Sequence, residues 1–273
     1  MKQMRQVIYP VLAGTLVWGA ASPAFADDAG SAVSGSFGVD YASHFVSYGA
    51  DVWGGGSDFF GSESTNFVYF DIGLALPKGF SVNFGVWGDV NDNSDGPATV
   101  GGNIQEIDTY IGVGYAAGIA SFGATYQEWN YGGVTAERIL DLSAGLDDSG
   151  MWGGDFALNP GLTVHMRIGS ESGAEEGEAY VFSVGPGFDV GSVSFSVPAS
   201  VAFFSDGYYN PDEGGYGYSS LGLSASIPMA FVPPAYGDWG LGLATTYYMT
   251  DDAVIGNPED DFLTGMVSIS LSY

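Results

Sequence analysis

The last thirteen residues, Asp261 to Tyr273, constrain the chain most, because from Leu263 onward they alternate with a period of two. Leu263, Val267, Ile269, Leu271 and Tyr273 fall on one side of an extended strand, and Thr264, Ser268, Ser270 and Ser272 fall on the other. Such a strand needs apolar surroundings on one face and water on the other.

The same pattern recurs from Val33 onward, giving about twelve alternating segments separated by polar, Gly-rich gaps. They run over 33–42, 65–76, 80–90, 105–116, 119–129, 134–146, 162–168, 178–189, 192–204, 217–228, 239–249 and the terminal stretch. Pro186 and Pro198 each remove a ladder donor, which the eighth and ninth segments tolerate if they bulge there. The apolar face is a continuous row of Val, Leu, Ile and Phe. The opposite face of Ser, Gly, Thr, Asp and Asn is too hydrated to pack as a soluble core, so the apolar rows look outward into lipid.

The expected fold is therefore all-β, a transmembrane antiparallel up-and-down barrel of about twelve strands. Gap lengths orient it. Short gaps at 77–79, 117–118 and 190–191 are read as periplasmic turns, and both termini fall on that side. Long gaps at 43–64, 91–104, 169–177, 205–216 and 250–260 are read as outer loops, whereas 147–161 and 229–238 are longer than a periplasmic turn should be.

On this assignment Asp40, Asp71, Asp89, Glu106, Asp108 and Asp141 point into the lumen with His165 and Arg167, and all eight are expected to line a pore. A ring of carboxylates in an aqueous mouth attracts cations, with Asp141 facing Arg167 as the expected neutralised pair. Inward Tyr69, Trp87, Tyr110 and Phe204 narrow the passage. Aromatics at strand ends are expected as interfacial girdles: Tyr236, Trp239 and Tyr273 at the periplasmic end, and Trp129, Tyr131, Phe204, Tyr208, Tyr209, Tyr247 and Tyr248 at the outer end.

Lys2 and Arg5 precede an apolar run from Val7 to Ala21, and Ala24-Phe25-Ala26 is a small-x-small site. Residues 1–26 are expected to be a removed signal peptide and 27–273 a single outer-membrane barrel domain. The remainder keeps Lys78, Arg138 and Arg167 against 32 acids, which sets nucleic acid aside as a partner. The chain holds no cysteine, so neither disulfides nor thiol chemistry enters.

Enzymatic chemistry would need a nucleophile beside a base, and only His44 and His165 are available, without a legible triad spacing. Asn91-Asp92-Asn93-Ser94-Asp95-Gly96 lacks the leading Asp and the distal Glu of an EF-hand. The expectation is a non-enzyme with no cofactor and no metal site. Glu171, Glu175, Glu176 and Glu178 remain candidates for divalent cations that bridge lipopolysaccharide phosphates.

The terminal strand, apolar at alternate positions and closing on an aromatic, resembles the last strand of Gram-negative outer-membrane barrels. That resemblance implies recognition by the barrel-insertion machinery. Val52-Trp53-Gly54, the Gly-Val-Trp-Gly at 85–88, Gln105-Glu106-Ile107-Asp108, and Leu158-Asn159-Pro160-Gly161-Leu162-Thr163 resemble the TorF-type family of porins. The resemblance implies an outer-membrane channel for small hydrophilic solutes or ions, in contact with outer-membrane lipid and lipopolysaccharide. A structural or surface-interaction barrel and a barrel hydrolase are the alternatives.

Overall fold

The computed structural model describes residues 32–94, 100–131, 136–152, 156–170 and 176–273. The expected signal peptide, and Glu171 and Glu175 among the loop acids, lie outside the described residues. Among the described residues there is no α-helix, and the alternating segments form strands. In chain order these are β1 (Val33–Ala42), β2 (Thr65–Ala75), β3 (Phe80–Val90), β4 (Ile104–Ala117), β5 (Ala120–Tyr131), β6 (Glu137–Leu146) and β7 (Gly161–Ser170). There follow β8 (Gly177–Val184, continuing as Gly187–Val190), β9 (Val193–Ser196, continuing as Ala199–Phe204), β10 (Gly215–Pro228), β11 (Asp238–Thr250) and β12 (Asp261–Ser272).

The interruptions in β8 and β9 fall at Pro186 and Pro198, the residues that lack a ladder donor. Their carbonyls keep the sheet joined: Val197 N–H donates to Pro186 O at 2.8 Å and Gly222 N–H to Pro198 O at 2.7 Å. With these two strands counted whole, twelve antiparallel strands each pair with their sequence neighbours. The ring closes where β12 pairs with both β11 and β1, from Ser36 opposite Ser272 to Ala42 opposite Met266. Closure leaves no unpaired sheet edge, which a strand protein in hydrocarbon requires.

Pleat alternation then sorts the side chains. Phe37, Phe70, Phe84, Ile111, Val113, Leu221, Leu223 and Val267 are exposed on the outer wall. An apolar belt that circles the whole barrel is far larger than the patch a soluble monomer leaves open, so its surround is lipid. The tight turns sit together at one end. At Pro77–Gly79 both Lys78 and Gly79 have positive φ, and a Cβ on Gly79 would lie 2.6 Å from the Ala116 carbonyl, so only glycine fits.

In the overlong connection after β6, at the same end, Asp148 ties together Trp152, Leu158 and Asn159. Its carboxylate accepts from Trp152 Nε1 at 2.5 Å and from the Leu158 and Asn159 N–H groups at 2.9 and 2.8 Å. The indole bond above all, with the two backbone donors, holds this carboxyl below the usual carboxylate range.

Candidate functional site in the barrel interior

The first long loop, 43–64, does not stand away from the barrel. Phe45, Val46 and Tyr48 are buried, and Val46–Ser47 pairs with Ala50–Asp51 as a two-residue hairpin that descends into the lumen. Tyr48 and Gly49 at its tip have φ of 44° and 86°, the left-handed pair that such a turn demands. An aromatic residue in that region is strained, and the surroundings hold it there. Tyr209 Oη donates to Ser47 O at 2.7 Å, Asn257 Nδ2 donates to Gly49 O at 2.8 Å, and Asp51 N–H donates to Asn257 Oδ1 at 2.9 Å. Two other long loops, 205–214 and 251–260, thus clamp the hairpin.

Around the tip lies a buried polar chain. Trp129 Nε1 donates to Gln127 Oε1 at 3.1 Å, and Gln127 Nε2 donates to Asp141 Oδ2 at 2.6 Å. Asp141 Oδ1 lies 2.6 Å from His165 Nδ1, and the His165 ring lies against Tyr48 with centroids 3.8 Å apart. One step outward, Arg167 Nε donates to Glu137 Oε2 at 2.9 Å and its Nη1 to Tyr208 O at 2.7 Å, while the guanidinium covers the Tyr208 ring at 4.5 Å. The expected partner of Asp141 is therefore corrected from Arg167 to His165. The β6–β7 register sets Asp141 opposite His165, and an irregularity between Arg138 and Ile139 shifts the ladder beyond it.

Asp40, Asp89, Glu106, Asp108 and Asp141 are buried inside the barrel and not washed by solvent. Asp89 accepts from Thr65 Oγ1, from Trp53 Nε1 of the first loop at 2.9 Å, and from Asn91 Nδ2. Asp108 lies between Trp87 and Trp129 in the register. Those two indoles meet Phe45 and Tyr48 of the loop at 5.3 and 6.4 Å. Asp71, farther from the mouth, is half-buried and accepts from Tyr110 Oη. A carboxylate ring in an open aqueous mouth is thus replaced by carboxylates under an inserted loop. Within the loop itself, burial pushes the Asp51 carboxyl above its ordinary range, against the opposing pull of the Gly56 N–H it binds.

The outer girdle needs a second correction. Trp129 is buried and Tyr131 packs half-buried against the same interior cluster, so neither faces lipid. Counting by twos from the outward Phe122 places both inside, and that parity outweighs the general preference of aromatics for strand ends. Phe204, Tyr208 and Tyr248 are likewise buried within and Tyr209 is packed against them, whereas Tyr247 is exposed on the outer wall. Tyr236 and Tyr273 are exposed at the opposite end, with Trp239 half-exposed between strand and turn. Inward rings lie flat along the wall where a glycine makes room: a Cβ on Gly38 would meet the Tyr69 ring at 2.1 Å.

The other half of the lumen differs. Ser81, Asn83, Ser121, Ser143, Ser183, Ser196, Ser226 and Ser270 face inward and stay partly exposed. Hydroxyl pairs such as Ser196–Ser224 at 2.6 Å and Ser200–Ser220 at 2.7 Å tie neighbouring strands. This half is a polar cup, and the inserted loop is its floor.

His44 is buried with Ser43. Ser43 Oγ accepts from Gly265 N–H at 2.8 Å and lies 2.8 Å from His44 Nδ1, while His44 Nε2 lies 3.1 Å from Gly56 O. A carbonyl can only accept, so Nε2 carries a proton toward Gly56 O. The pair fastens the loop to β12.

No protein-family model matches the chain, and no curated protein does. Among solved structures, LpxR from Salmonella typhimurium aligns with TM-score 0.49 at 10% identity, covering 86% of this chain and 99% of that one. The NanC porin aligns with TM-score 0.47 at 9% identity, covering 89% and 99%. An anion-selective porin from Comamonas acidovorans aligns with TM-score 0.38 at 12% identity, covering 88% and 98%.

Proposed function

We propose that the protein is an outer-membrane pore for small hydrophilic solutes and ions, with its short turns in the periplasm and its first long loop as the constriction. The observation that carries this reading is the division of the lumen: a hydroxyl-lined cup that ends on a hairpin held by side chains rather than by strand pairing to the wall. Such a hairpin can swing without breaking the barrel. The TorF-type resemblance in the short Gly-aromatic motifs belongs to the same reading.

A preference for cations follows from the charges. Lys78 sits on a turn, Arg138 lies 3.9 Å from Glu128 with both side chains about half exposed, and Arg167 is bound to Glu137. No other Lys or Arg follows Arg5, so the 32 acids dominate the field around the passage. Recording in planar bilayers under a salt gradient tests this: a reversal potential on the cation side is expected, and one on the anion side would overturn the preference.

The packed outer half favours a second reading, a barrel that serves as a surface structure and does not conduct. Silence in the same bilayers, both from the native protein and from a variant with residues 45–52 replaced by a Gly-Ser linker, would support it.

A further inference from the structure

We infer that the connection between β10 and β11, residues 229–237, lies in the lipid leaflet at the barrel's rim and does not project into water. The inference rests on the barrel spanning a bilayer and is independent of whether it conducts.

In a chain with 32 acids, this connection reads Met-Ala-Phe-Val-Pro-Pro-Ala-Tyr-Gly and carries no charge. A turn at an aqueous end has no reason to be wholly apolar, and Phe231 and Tyr236 are 79% and 70% exposed. Its backbone is prepared for a dry medium. Pro233 and Pro234 have no N–H to satisfy. Met229 donates to Trp239 O, Ala230 to Pro228 O, Val232 to Met229 O, Tyr236 to Pro233 O and Gly237 to Pro234 O, all between 2.8 and 3.0 Å. Five of the connection's seven backbone N–H groups are met in this way, which lowers the cost of leaving water at the rim.

The segment also leans over the outer wall. Trp239 belongs to the outward row of β11, and its Nε1 donates to Tyr236 O at 3.0 Å. Leu271, outward on β12, approaches Gly237 so closely that a Cβ there would lie 2.4 Å from its Cδ1. The connection is thereby continuous with the lipid-facing belt rather than with the mouth of the lumen. Lipid fits this surface better than a protein partner, because the belt it extends is itself covered by lipid.

The chain has no cysteine, so single labels report cleanly. Phe231→Cys, Leu223→Cys on the belt and Ser192→Cys on the neighbouring tight turn are each labelled with an environment-sensitive fluorophore and reconstituted into phosphatidylcholine vesicles. Quenching is then measured with nitroxide-bearing lipid and with aqueous iodide. The label at 231 is expected to follow the one at 223, losing most of its emission to the nitroxide and little to iodide. Behaviour like that at 192 would overturn the inference, and so would shielding from both quenchers, which would mean a second copy or another protein covers the segment. Failure of nitroxide quenching at 223 as well would take down the membrane-spanning reading itself. Tyr236→Cys repeats the test in case the substitution at 231 impairs folding.

Discussion

The two halves of the lumen are built from one strand pattern and end in opposite states. Near the tight turns the inward positions carry Ser and Asn that remain partly exposed, while near the long loops they carry Trp, Tyr, Asp, Glu, His and Arg that are buried. What separates them is the tip of the first loop. Tyr48 against His165 and Phe45 against Trp87 turn a wall that would be wet into a packed interior. Asp89, Asp141 and Glu137 in the half near the long loops find partners within the protein, while buried atoms such as His165 Nε2 and Tyr48 Oη have no hydrogen-bond partner among the described residues; polar groups in the cup can rely on water.

The comparison can be broken first at its strongest contact. Arg167→Met leaves Glu137 buried without its cation, and a loss of about 3–5 kcal/mol is expected in urea unfolding from lipid vesicles. A loss below about 1 kcal/mol, typical of exposed pairs, would mean that the half near the long loops is hydrated after all. Next, Gly38→Leu drives the Tyr69 ring off the wall, and overpacking of about 1–3 kcal/mol is expected in the same assay. In the cup, Ser196→Ala removes the partly exposed partner of the Ser224 hydroxyl and should cost no more than about 1 kcal/mol, since water can take the place of its Oγ. A cost as large as that of Arg167→Met would erase the distinction between the halves.

A smaller effect sharpens the comparison through pH. Asp51 has a raised carboxyl pKa when the loop is seated, beside His44 and Glu63. The seated state is therefore favoured fully below the unperturbed value of about 3.9 and loses that advantage as pH rises through the seated-state value. Raising the pH from 4 to 8 should loosen the loop and increase conductance. Asp51→Asn should flatten that component of the profile, and an unchanged profile in the variant would remove Asp51 from the account.

The barrel was legible in the sequence because period-two alternation is a local signal, repeated in every strand from Phe37 and Val39 to Ile269 and Leu271. Even the breaks in β8 and β9 could be placed at Pro186 and Pro198 from the missing N–H alone. The burial of the half of the lumen near the long loops was not legible. It depends on contacts such as Tyr209 with Ser47 and Asn257 with Gly49, far apart in the chain and without periodicity. The Phe45-Val46 pair and the Tyr48-Gly49 turn are the residues a buried hairpin needs, yet the same residues also suit an exposed aromatic loop. Trp129 and Tyr131 teach a narrower lesson: parity within a strand determines which way a ring points, and position near a strand end does not.

The central claim is that the hairpin at 46–51 closes the long-loop half of an otherwise aqueous barrel. Single-channel currents from the native protein, set beside those from the variant with residues 45–52 replaced by a Gly-Ser linker, test it most directly. Several-fold larger unitary steps in the variant, with strand content unchanged by circular dichroism, are the expected result. Identical step sizes in the two proteins would contradict it.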